Sequence, residues 1–101
     1  MSRNDPTDIQ AQDTDRKVRE TRAALAIQQD KEDVKWLMQT KRGRRMLWRQ
    51  MELAGVFRSS FNTNAMQMAF NEGHRNYGNH VLATIHSVAP DLYPTMVSEN
   101  T

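Results

Sequence analysis

The stretch Ala65–Val88, AMQMAFNEGHRNYGNHVLATIHSV, decides the fold. Met66, Phe70, Gly73, Tyr77, Val81, Thr84 and Val88 fall at i, i+4, i+7, i+11, i+15, i+18 and i+22, one face of a helix. Gly78, Leu82, Ile85 and Ala89 make an adjacent stripe. Asn62, Thr63 or Asn64 can cap its start. Ala89-Pro90 stops it, since the residue before a proline avoids the α region.

Within this helix, Phe70–Asn76 (FNEGHRN) has the look of an active-site fragment, with a carboxylate, a histidine, an arginine and two amides. Its setting favours packing instead. Gly73 costs ~1 kcal/mol relative to alanine inside a helix, and Gly78 repeats that cost. Two interior glycines imply close approach by another backbone, and the helix expected over Arg44–Ala54 is the nearest candidate. Glu72 then receives a charge-assisted bond from Arg44 or Arg45, while Arg75, three residues on, sits on the same surface. Glu72 and His74 are two apart and face away from each other. His74, His80 and His86 are six apart, so at ~100° per residue they diverge around the helix. A helical zinc site wants histidines at i and i+4. No nucleophile motif, P-loop or dinucleotide fingerprint is present, so the expectation is a non-enzymatic chain with no cofactor and no metal.

Upstream, Leu47, Met51 and Ala54 share one helical face, and Gly55 is placed as a C-cap. TKRG at Thr40–Gly43 is a turn candidate, because Gly43 disfavours a helix interior. Phe57 and Phe61 anchor the loop VFRSSFNTN, in which Ser59-Ser60 reads as capping. From Asp15 to about Gln39 the residues are good helix formers with a thin apolar stripe of Val18, Leu25 and Ile27. Asp13 or Thr14 can cap that helix; Asp30 either breaks it or lies within one long helix. The expected organisation is a flexible acidic arm at 1–14, an N-terminal helix at 15–29 free to project, and a compact helical domain at 30–99. The fold class is all-α, with three to four helices. The expected core is Trp48, Phe57, Phe61, Phe70, Tyr77 and Leu82.

A chain of 101 residues makes one domain, and a domain this small buries little surface and gains from assembly. With no cysteine, disulfides and thiolate metal sites are excluded. No signal peptide opens the chain and no apolar run approaches the ~20 residues that span a bilayer. The net charge of +2 conceals an uneven spread. Residues 1–15 hold Asp5, Asp8, Asp13 and Asp15 against Arg3, for −3. Residues 35–49 hold Lys35, Lys41, Arg42, Arg44, Arg45 and Arg49 and no acid, for +6. Lys41, Arg42, Arg49 and Arg58 are the candidate surface for an anionic partner.

GRRMLWRQMELAGVFRSSF, then FNEGHRNYGNHVLATI, then PDLYPTMVSEN together resemble a family of small podovirus-type phage proteins named for a Bordetella phage member. The pattern rests on Gly43, Arg44, Arg45, Trp48, Gly55, Val56, Phe57, Ser59, Ser60, Phe61, Glu72, Gly73, Arg75, Asn76, Gly78, Pro90, Met96 and Glu99, over about Asp33–Glu99. His74 departs from it, standing where a second arginine is expected. The resemblance implies a phage setting, among head and tail morphogenesis genes, more than a mechanism.

The leading expectation is a structural or assembly protein of a phage particle, in the virion or the host cytoplasm. Its partners would be capsid, portal, tail or ejection proteins in an oligomeric assembly, with seven methionines suited to adaptable contacts. The alternative is a nucleic-acid-binding protein, with the basic stretch meeting phosphates and Trp36 and Trp48 stacking on bases. A third, weaker reading docks residues 15–39 in a partner's groove, since Val18 and Leu25 alone hold a heptad.

Overall fold

The computed structural model describes residues 6–101. It contains α1 (Pro6–Met38), α2 (Lys41–Ala54), α3 (Ala65–Val88), a 3-10 turn at Pro90–Leu92 and α4 (Tyr93–Asn100). No strand occurs among the described residues. Contacts divide the chain into Met1–Asp30 and Lys31–Thr101.

In the first unit, every described side chain from Ile9 to Asp30 is exposed. This part of α1 is polar all round and builds no core. It is held by local bonds: Arg16 lies 3.4 Å from Asp13 and 3.9 Å from Glu20. The helix begins at Pro6, so its expected start near Asp15 is corrected. Proline suits a first helical turn because its missing N–H has no partner there anyway, and Asp8 complements the dipole. Thr14 is no cap: its hydroxyl donates back to the Gln10 carbonyl at 2.9 Å. Asp30 does not break the run, which continues to Met38. The part of the expected arm at residues 1–5 lies outside the described residues.

The second unit is a helical domain, to which the end of α1 contributes Val34, Leu37 and Met38. α2 starts at Lys41, not Arg44, because Thr40 caps it: the Thr40 hydroxyl accepts from the Gly43 N–H at 3.0 Å. Gly43 is therefore inside the first turn rather than in a loop. A Cβ there would stand 2.7 Å from the Leu37 carbonyl carbon and closer still to its oxygen. The glycine is spent on the close passage of α1 under α2. Gly55, at φ 83°, closes α2 in the left-handed conformation, and the Val56 N–H reaches back to the Met51 carbonyl at 3.1 Å. Asn64 caps α3, accepting from Gln67 N–H at 3.1 Å.

The core consists of Met38, Leu47, Trp48, Met51, Ile85, Ala89 and Met96. Trp48 is buried and Leu82 packs half-buried against the core cluster, but Phe57, Phe61, Phe70 and Tyr77 are exposed. For those four the expected core is corrected. Length explains two of them. At 1.5 Å per residue, the 24 residues of α3 run roughly 36 Å and the 14 of α2 roughly 21 Å. α2 and α4 therefore cover the C-terminal part of α3 only. Val81, Thr84, Ile85 and Val88 are sheltered, while Met66, Phe70, Gly73 and Tyr77 overhang. Phe57 instead caps the outside of Trp48, with ring centroids 4.6 Å apart.

Candidate functional site

Arg44 does not reach Glu72. Its Nε donates to Glu99 Oε1 at 2.6 Å and its Nη1 to the Met38 carbonyl at 2.8 Å. One guanidinium thus joins the ends of α1 and α4 to the start of α2. Both side chains of the pair are largely buried, at 12% and 15% exposure. Arg45 points outward and is exposed. The physical reason is helical phase: Arg44 lies three and seven residues before the buried Leu47 and Met51 and so faces inward beside α4, while Arg45 is one step round toward solvent.

Glu72 is engaged locally. Its Oε2 accepts from the Ser60 hydroxyl at 2.8 Å, and Arg75 Nη1 lies 3.6 Å from Oε1. This ties the loop after α2 to α3. The expected lock between Glu72 and an arginine of α2 is absent; besides the core of Leu47, Trp48, Met51 and Ile85, α2 and α3 approach closely at small residues. Gly78 is buried where a Cβ would stand 2.7 Å from that of Ala54 and nearer still to Val56. Gly73 is different: nothing lies within 4 Å of the position its Cβ would take. It marks no close helix packing within this chain.

Lys41, Arg42, Arg45 and Arg49 lie on the face of α2 turned away from Leu47, Met51 and Ala54, and all four are exposed. Arg58 sits in the following loop, donating to the Glu52 carbonyl at 3.3 Å. His74 packs against Phe70 at 4.4 Å and His86 against Tyr93 at 4.5 Å, so the histidines do not gather. Among the described residues no cluster of three or more metal-ligating side chains occurs, and no helix is long and apolar enough to cross a membrane.

What the fold does assemble is an apolar face. Leu53 of α2 and Met66, Phe70 and Tyr77 of α3 are all 62–84% exposed. Between them, Gln50, Leu53, Ala54, Gly73, His74 and Tyr77 line an open hollow of about 550 Å³. It adjoins a more polar hollow of about 240 Å³ beside Arg58, Ser60, Asn71 and Arg75. Arg75 Nε, next to that hollow, is buried without a hydrogen-bond partner among the described residues.

A family model described as Bbp19-like phage protein matches residues 34–98. The chain belongs to this family. No curated protein and no solved structure matches it. The match covers most of the second unit of this Bbp19-like chain, while nearly all of α1 precedes it. Within the matched region, Gly43, Arg44, Trp48, Gly55, Gly78 and Met96 are used in caps, packing or the buried pair just described. Phe61, Gly73 and Asn76 are exposed; the Phe61 N–H donates to the Ser59 hydroxyl at 3.1 Å, and nothing lies within 4 Å of the position a Gly73 Cβ would take. Sequence reasoning missed two contributors. Glu99 stood only among the residues of the family resemblance, three after Met96 and so on a neighbouring part of the helix surface, with no partner assigned to it. Leu53 lies outside the Leu47–Met51–Ala54 face, and nothing in its spacing marks it.

Proposed function

We propose that this Bbp19-like phage protein is a non-enzymatic structural or assembly component. It would be held by protein–protein contacts to the capsid, portal, tail or ejection proteins, in the virion or in the host cytoplasm during assembly. The observation that carries this reading is the exposed face of Leu53, Met66, Phe70 and Tyr77 beside a small core. Large apolar side chains clustered on a surface are the mark of an interaction site. The chemistry-bearing residues are otherwise occupied: Glu72 by Ser60 and Arg75, and His74 by the Phe70 ring. Quantitative mass spectrometry of purified particles and of stalled assembly intermediates tests the reading. A fixed copy number in either is expected, and loss from both refutes it.

Nucleic-acid binding is the second reading. It draws on the four exposed cations Lys41, Arg42, Arg45 and Arg49 on one face of α2. Four phosphate contacts give a log–log salt slope of about −3 to −4. Filter binding at several salt concentrations tests it, and binding that ignores salt removes it. Trp48 takes no part as a stacking platform, because it is buried.

A further inference from the structure

We propose that the apolar face of α3 is a homodimer interface. Two copies of the chain would pack the Met66–Tyr77 stretch antiparallel, with the two-fold axis passing beside Gly73. The inference rests on the assembly role proposed above and names the first occupant of that face.

Spacing is the first argument. Met66, Phe70, Gly73 and Tyr77 are separated by four, three and four residues, the seam that paired helices use. Shape is the second. Phe70 and Tyr77 stand on either side of a glycine notch with nothing within 4 Å of its missing Cβ. A two-fold axis places residue i on j and j on i. In the antiparallel arrangement each Phe70 meets the second copy's Tyr77, the two glycines face each other, and the helix dipoles oppose.

Charge is the third argument. On α3 the stripe is bordered by Ala69, His74, Asn76 and His80, while Glu72 and Arg75 point to the other side. Self-pairing there sets no like charges opposite one another. The outer face of α2, with its four cations, would repel its own twin. Area is the fourth. Leu53, Met66, Phe70 and Tyr77, each mostly exposed, offer about 100–150 Å² apiece. That is about 500 Å² per copy and ~1,000 Å² for the pair before flanking residues are counted, the size at which specific interfaces begin.

The test uses the full chain. Sedimentation over a wide concentration series is expected to show reversible doubling of the 11.7 kDa mass. Phe70→Glu combined with Tyr77→Glu changes only exposed side chains, so circular dichroism should stay helical while the dimer dissociation constant rises at least about 100-fold. The chain has no cysteine, so Gly73→Cys gives a single thiol beside the axis. Mild oxidation should cross-link it. Met66→Cys should not cross-link, because antiparallel pairing sets its two copies roughly 20 Å apart. A chain that is monomeric throughout, a dimer that survives the double substitution, or equal cross-linking at Met66 overturns the proposal. Particle mass spectrometry is read separately. A dimer missing from particles and intermediates sinks the assembly role alone, and a monomer present in them sinks the interface alone.

Discussion

Arg44→Ala should damage this fold severely, because the side chain it removes joins three helices. Arg44 holds Glu99 Oε1 at 2.6 Å and the Met38 carbonyl at 2.8 Å. Removing it strands a carboxylate of which Oε2 is already buried and unpartnered among the described residues. Breaking a buried ion pair from one side costs about 3–5 kcal/mol. The pair is 12% and 15% exposed, so water recovers part of that, and about 3 kcal/mol is expected. At 0.05–0.15 kcal/mol per residue, the unit Lys31–Thr101 has only about 4–10 kcal/mol in total. One truncation should thus remove about 30% or more of its stability. In a thermal melt followed by circular dichroism, that corresponds to a Tm lower by about 12–24 °C. Arg45→Ala, one residue on and exposed, should stay within about 0.5 kcal/mol of the parent. Arg44→Met with Glu99→Leu should recover most of the loss, since apolar residues of similar volume replace a buried pair at little cost. An Arg44→Ala chain melting within a few degrees of the parent would falsify the assignment of this pair as the joint between α1, α2 and α4.

The two glycines of α3 should respond in opposite directions. Gly78→Ala forces its methyl onto Ala54 and Val56 and should destabilise by about 1–3 kcal/mol, whereas Gly73→Ala, in open space, should stabilise by about 0.5–1 kcal/mol in urea unfolding of dilute protein. Met51→Ala, at a fully buried core position of α2, should cost about 2–5 kcal/mol in the same assay. Thr40→Ala removes the cap of α2 and should cost about 1 kcal/mol. Amide exchange in dilute protein should be faster over residues 65–73 than over 78–88, because only the second stretch is covered by neighbouring helices; equal protection would contradict the overhang.

Helix boundaries were legible where the signal was local. Gly55 as a C-cap, the asparagine-rich entry to α3 and the Ala89-Pro90 stop are each read from neighbouring residues alone. The expected core failed at Phe70 and Tyr77 for a non-local reason. Periodicity identifies a face but not how far along it a neighbour extends, and α2 is ten residues shorter than α3, 14 against 24. Gly43 failed for a similar reason. Its helix propensity is poor, yet the passage of Leu37 leaves no room for a Cβ, and tertiary contact outranked propensity. The partner of Arg44 was hidden because Glu99 lies 55 residues away, in a helix of only 8 residues. Glu72 meets the Ser60 hydroxyl in the loop just before α3 and Arg75 on its own helix, not the arginines of α2 that its position suggested.

The overhanging stretch raises a question of balance that bears on its use. Helices in proteins take most of their stability from a packed face rather than from propensity. Residues 65–73 lack that face and carry a glycine, and yet α3 is helical from Ala65. The stretch is secured by polar means instead: the Asn64 cap, the Gln67–Asn71 side-chain bond at 2.8 Å, and the Ser60–Glu72 bond that clasps the incoming loop. Each of these contributes only about 0.5–1.5 kcal/mol. Such bonds hold a helix in shape while leaving Met66, Phe70 and Tyr77 uncommitted, so the ordering cost is met before any partner arrives. A surface preorganised in this way spends less of its contact energy on ordering when it docks. Gly73, with nothing within 4 Å of the position its Cβ would take, leaves room at that surface for the second copy's helix in the dimer proposed above.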